Sequence, residues 1–217
     1  DVILARGTMK CGVKESQYGM GYLDASTGVR SGLDISYCRA VAAAIGLDPD
    51  TDVEYIPASG SDRFEKLASG TIDVLIRTTT WTTSRDADLN ADFAGINFYD
   101  GQGILVNKDA FPDATSALQL DGAKICVGIG TTTEGNIADY FAVNDMTYEA
   151  VNSDDAATAK AQFEDGSCDA WTGDMSARVA QKFGLDTAAV PNSAIMPELL
   201  SKEPLAAATR DNYDDWN

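Results

Sequence analysis

The sequence predicts an α/β fold of parallel βαβ units, organised in two halves. Three observations lead there. Short apolar runs of strand length alternate with longer helical segments. An extended stretch with two glycines, residues 98–106, interrupts the alternation, which then restarts. Finally, two runs, residues 72–86 and 125–134, pass from an apolar strand straight into a cluster of hydroxyls. Each reads as a strand ending in a turn that opens a helix. Such turns aim backbone N–H groups and hydroxyls at an anion.

In order along the chain, residues 8–13 read as the first strand and the Gly- and Tyr-rich stretch 16–30 as a loop. Residues 31–46 form a helix, with Leu33, Tyr37, Ala40, Val41 and Ala44 at helical spacing and Gly46 ending it. A strand at 53–57 stops at Pro57. The helix at 61–70 turns Phe64 and Leu67 to the core and ends at Gly70, and a strand follows at 72–76. Residues 98–106 carry the chain between halves. Leu118 and Leu120 close a short helix, 124–129 is a strand, and 134–143 is a helix with Ile137, Tyr140 and Phe141 on one face. A helix at 156–163 stops at Gly166, a strand occupies 168–172, and a helix at 175–183 ends at Gly184. Trp81 and Trp171 are expected in the core.

The chain's 217 residues suffice for one large domain or two small ones. A hydrophobic fraction of 44% is that of a packed globule. No apolar run reaches the ~18 residues of a membrane span. No signal peptide is visible, as in a chain that has already lost one. The net charge is −18, from 34 acidic and 16 basic residues spread along the chain. That opposes nucleic-acid binding and gives a solvated acidic surface. There is no histidine, which excludes Ser-His-Asp and Cys-His catalysis and removes the commonest zinc ligand. No metal or other cofactor is expected.

Cys11, Cys38, Cys126 and Cys168 form no C-x-x-C pair and allow three pairings. Cys11–Cys38 and Cys126–Cys168 would each close within one half, over 27 and 42 positions. Loop closure would then stabilise by roughly 3–4 kcal/mol each and place the protein in an oxidising compartment. Four buried free thiols are the alternative.

Arg85 follows the first hydroxyl cluster, at the end of a strand where open α/β sheets bind ligands, and its planar fork of donors matches a carboxylate. The bland alternative is a surface pair with Asp86 or Asp88. Thr82 and Thr83 read as helix caps, Thr83-x-x-Asp86 approximating a capping box. Thr131 and Thr132 open the helix of Glu134, where N–H groups and the helix dipole favour a carboxylate; Thr131-x-x-Glu134 is also a capping box. Asp174 ends a strand and is either a ligand carboxylate or the N-cap of the next helix. Two such elements in one chain point to two halves gripping one small anionic or zwitterionic ligand.

The segments Cys11-Gly-Val, Ser31-Gly-Leu-Asp-Ile-Ser-Tyr-Cys-Arg-Ala, Arg63-Phe-x-x-Leu-x-x-Gly70-x-Ile-Asp-Val-Leu, Arg77-Thr-Thr-Thr-Trp-Thr-x-Ser-Arg-Asp86, Tyr99-Asp-Gly-Gln-Gly, Gly130-Thr-Thr-Thr-Glu134, Cys168-Asp and Ser201-Lys-Glu-Pro-Leu205 run across nearly the whole chain. In this order they resemble the periplasmic solute-binding proteins of polar amino-acid ABC transporters. The Arg-Thr-Thr-Thr-Trp run and the two cysteine pairs are similar to the general L-amino-acid and glutamate/glutamine/aspartate/asparagine subgroup.

The resemblance implies a type II periplasmic-binding-protein fold, two α/β lobes joined by two crossing strands that close on a ligand in their cleft. It implies lobe one over 1–103, lobe two over 104–200, and a return to lobe one over 201–217 that is cut short, since family members continue past the aromatic near Trp216. It assigns Arg85 to the ligand α-carboxylate, Asp174 to the α-ammonium, and Thr78, Thr80, Thr131 and Thr132 to further hydrogen bonds. Arg77 stands where relatives often carry a small polar residue and either reads the ligand side chain or pairs within lobe one. Tyr18 and Tyr22 are the candidates for an aromatic lid, and Met20 falls where relatives often show phenylalanine. The implied function is capture of a free L-amino acid (glutamate, glutamine, aspartate, asparagine or a broad range) by a periplasmic monomer that delivers it to a membrane permease. The alternative on the same fold is an enzyme that dehydrates arogenate or prephenate.

Overall fold

The computed structural model of the chain describes residues 2–212 and 216. Its elements in chain order are α1 (Val2–Arg6), β1 (Met9–Val13), β2 (Ser16–Gln17), β3 (Gly21–Leu23), β4 (Arg30–Ser31), α2 (Leu33–Ala44), β5 (Val53–Pro57), α3 (Arg63–Ala68), β6 (Val74–Thr80), α4 (Thr83–Asp88) and β7 (Ala91–Asn107). A short 3-10 turn, Ala117–Gln119, precedes β8 (Ala123–Gly128), α5 (Thr132–Val143), β9 (Tyr148–Ser153), α6 (Ala156–Glu164), β10 (Ala170–Asp174), α7 (Met175–Phe183), β11 (Ser193–Ile195) and β12 (Lys202–Arg210). The fold is α/β, in two compact units. One holds the described residues up to Tyr99 and from Pro204 onward, the other Asp100–Glu203. The chain passes between them twice, inside β7 and inside β12.

In the first unit β5, β1 and β6 run parallel, Met9 opposite Val53 and Cys11 opposite Val74. β12 lies antiparallel to β6. Val74 and Ile76 join Met9, Cys11 and Val13 in a core under Ile35, Cys38 and Ala42 of α2. Leu75 joins the opposite core with Leu67 of α3, Phe93, Ala206 and Ala208. Successive strand residues point to opposite faces, so a strand covered on both sides reads as an unbroken apolar run. Gly12 lets β1 lie close to its neighbours: a Cβ there would come within 2.5 Å of Ile72 Cδ1.

Three expectations for this unit are corrected. The buried face of α2 is Ile35, Cys38 and Ala42, while Tyr37, Ala40 and Ala44 of the expected stripe are exposed. An alanine-rich helix sets its own rotation weakly, and the bond from Cys38 to Cys11 in β1 sets it here. The stretch 16–30 is not a plain loop: β2, β3 and β4 form a small antiparallel sheet with Tyr22 between Ser16 and Ser31. Strands of two or three residues are too short to show alternation in sequence. Gly32, at φ +113°, closes that sheet onto α2, where any Cβ would fall 2.1 Å from the Met20 carbonyl oxygen. Finally, the first hydroxyl cluster is no turn. β6 continues through Arg77–Thr80, because Thr80 pairs with Leu205 of β12, a strand that local patterning does not reveal.

In the second unit β9, β8 and β10 are parallel, Ala123 opposite Tyr148 and Ala170 opposite Ile125. β7 is antiparallel to β10 on one side and to β11 on the other. Ile104, Val106, Ile125 and Val127 pack under Ile137 and Phe141 of α5. Leu105, Cys126 and Trp171 pack under Ala159 and Phe163 of α6. Leu118 is exposed, and the short helix expected around it is only the 3-10 turn. The edge strand β9 carries no apolar run for the sequence to show, because most of its residues are at least partly exposed.

Both expected cysteine pairs are formed and each stays within its unit. Cys11–Cys38 ties β1 to α2 with its Cα atoms 6.1 Å apart, and Cys126–Cys168 ties β8 to the segment before β10 at 5.6 Å. Replacing Cys11 and Cys38 together by alanine is expected to lower the unfolding free energy by roughly 3–4 kcal/mol in urea titration. Free thiols in the denatured, unreduced protein would contradict this pairing.

Candidate functional site

In the first unit, the predicted residues collect at the carboxyl ends of β1 and β6. β6 is irregular there: Thr79 faces Ala206 and Leu75 faces Ala208, so Ile76, Arg77 and Thr78 stand opposite Ala207 alone. Thr78 absorbs the surplus with a φ of +47°, a conformation that costs a β-branched residue on the order of 1–3 kcal/mol. Arg77, Thr78 and Thr80 are all buried. The Thr78 hydroxyl donates to Gln17 Oε1 over a long 3.5 Å.

Arg85 is only 8% exposed, so it is not the surface arginine of the bland reading. Its Nη1 donates to the Thr80 carbonyl at 2.9 Å, and its guanidinium lies 5.6 Å from the Phe64 ring centre. Its own backbone N–H donates to Thr82 Oγ1, which makes Thr82, not Thr83, the cap of α4. Arg63 is also buried and lies 5.1 Å from the same ring. Tyr18 and Tyr22 stack at 4.1 Å as one pair rather than as rival positions. Met20 is buried. Trp81, expected in the core, is 37% exposed and stacks on Phe93.

In the second unit the carboxyl ends of β8 and β10 carry the remaining predictions. Thr131 is the N-cap of α5, its hydroxyl accepting from Glu134 N–H at 3.2 Å and donating to the Gly128 carbonyl at 2.7 Å. The returning half of the expected box is shifted: Glu134 Oε2 accepts from Gly130 N–H, one residue before the cap. The Thr132 hydroxyl donates to Glu203 Oε2 at 2.7 Å. Glu203, 1% exposed, also accepts from Asn136 Nδ2 and Ser201 Oγ. Gln102 ties the two strand ends together, its Nε2 donating to the Thr133 carbonyl and to Thr172 Oγ1, both at 2.9 Å. Both residues lay inside recognisable motifs, yet only the fold shows what they bind.

Asp174 occupies the N-cap position of α7, but its side chain makes no capping hydrogen bond. It stands beside Arg178, which is 4% exposed and 3.8 Å from the Trp171 ring centre. Burial pulls the Arg178 guanidinium down to about 9, while the Asp174 carboxylate works in the opposite direction. It is therefore a buried cation at neutral pH.

Residues 9–177 match the model of the bacterial extracellular solute-binding proteins, family 3. The chain belongs to this family. Over its whole length it is 46% identical to 62% of the glutamate/glutamine/aspartate/asparagine-binding protein of Rhodobacter capsulatus. Over 99% of its length it is 42% identical to 61% of the general L-amino-acid-binding periplasmic protein of Rhizobium johnstonii. A solved periplasmic binding protein from Brucella ovis with glutathione bound superposes with a TM-score of 0.91 at 45% identity, over 99% of this chain and 66% of that one. The chain thus spans about three fifths of the length of the curated relatives it matches. The α/β architecture in two units is that of this family's fold.

Within that fold the Arg178 charge has a measurable cost. Its pKa is depressed on folding, so the penalty is full below about pH 9 and fades as pH rises beyond it. The difference in unfolding free energy between the native chain and Arg178→Met is expected to be constant below about pH 9 and to move in favour of the native chain above it, as urea titrations at several pH values would show. A difference independent of pH would exclude the charge as its cause.

Proposed function

We propose that the chain captures a free L-amino acid in the periplasm and hands it to the permease of an ABC transporter. Arg85 takes the α-carboxylate, with Thr78 and Thr80 as neighbouring donors, and Asp174 takes the α-ammonium. Thr131 and Thr132 contribute hydrogen bonds at the start of α5, and Tyr18 with Tyr22 supplies an aromatic wall. The observation that carries the reading is Arg85 itself: a buried guanidinium at a strand's carboxyl end, aligned by the Thr80 carbonyl. A carboxylate removed from water needs such a charged, hydrogen-bonding partner.

The names of the relatives favour glutamate, glutamine, aspartate and asparagine as ligands, or a broader set. They are binding proteins, which supports capture without chemistry over the dehydratase alternative. Two disulfides accord with an oxidising compartment, and among the described residues no helix is long and apolar enough to cross a membrane. Calorimetry should show micromolar or tighter binding of at least one of the four amino acids. Arg85→Ala should weaken it by about 2–5 kcal/mol, because it strands a buried carboxylate. Unchanged affinity in that variant would remove Arg85 from the site.

A further inference from the structure

Gln17, on the short strand β2, has a role that the sequence motifs do not assign. Its side chain is 1% exposed. Oε1 accepts from Lys14 Nζ at 2.6 Å and, more weakly, from the Thr78 hydroxyl at 3.5 Å. Nε2 has no hydrogen-bond partner among the described residues. The orientation of the amide is not arbitrary: an ammonium has donors only, so Lys14 can face the oxygen and not the nitrogen. The donor end is thereby fixed as the buried Nε2, while the acceptor end is the one that meets the left-handed Thr78. A buried donor left unpaired is costly, so Nε2 calls for an acceptor that the described residues do not supply.

From this we infer that Gln17 reads the end of the ligand's side chain, its Nε2 donating to a side-chain carboxylate or amide oxygen. The inference rests on the amino-acid-binding reading above and narrows it to side chains that end in an acceptor. Lys14 strengthens the effect. A cation bonded to the amide oxygen polarises the N–H bonds, and such chains of hydrogen bonds reinforce one another. An anionic acceptor gains most, so glutamate and aspartate rank above glutamine and asparagine. An apolar side chain would leave the amide buried and unpaired, and a cationic one would meet its donors. Selection then comes from the penalty on wrong ligands as much as from attraction to right ones.

The test is calorimetric titration with L-glutamate and with L-norleucine, a straight-chain amino acid without an acceptor. The native protein is expected to favour L-glutamate by about 10- to 100-fold. In Gln17→Leu that ratio should collapse towards one. In Gln17→Glu, which keeps the shape and replaces donors by an acceptor, it should fall below the native value even if the leucine variant does not fold. A native protein that binds both amino acids equally, or variants that keep the native ratio, would overturn the assignment while leaving amino-acid capture intact. A native protein that binds no amino acid would overturn the capture reading, and this inference with it.

Discussion

The antiparallel pairing of β6 with β12 is the constraint on which the first unit's site depends. β6 alone would be an ordinary parallel strand beside β1. Against β12 it must fit Ile76, Arg77 and Thr78 opposite Ala207, and the surplus leaves the ladder at Thr78. Bulges of this kind re-aim side chains. Here the re-aimed residues are the ones that meet Gln17 and, through the Thr80 carbonyl, Arg85. The strain at Thr78 is tolerable because the residues around it are fully packed: Thr79 and Leu75, which flank the bulge, are buried on a sheet covered from both sides. β12 arrives far later in the chain than β6, so this geometry can form only after a long loop has closed.

What the sequence makes legible follows from the same distinction between local and distant causes. The cap at Thr131, the bounds of α7 and the βαβ order all have their causes within a few residues. The disulfide pairing was readable because each bridge closes inside one half. The extension of β6, the rotation of α2 and the roles of Gln102 and Glu203 have causes elsewhere in the chain. Thr132 meets Glu203, and Gln102 meets Thr133 and Thr172, only because strands distant in sequence are neighbours in the sheet.

The buried arginines Arg63, Arg85 and Arg178 each lie by an aromatic ring. Phe64 lies under both Arg63 and Arg85, and Trp171 under Arg178. An aromatic face attracts a guanidinium through its quadrupole and packs against its flat side. The N–H donors lie in the guanidinium plane, at its edge, so stacking leaves them to hydrogen-bond. Such a ring leaves the edge donors available for hydrogen bonds such as the one from Arg85 to the Thr80 carbonyl. The Thr80 carbonyl holds one Arg85 nitrogen and the Phe64 ring lies 5.6 Å from its guanidinium, so the rotamer freedom of this side chain is given up on folding.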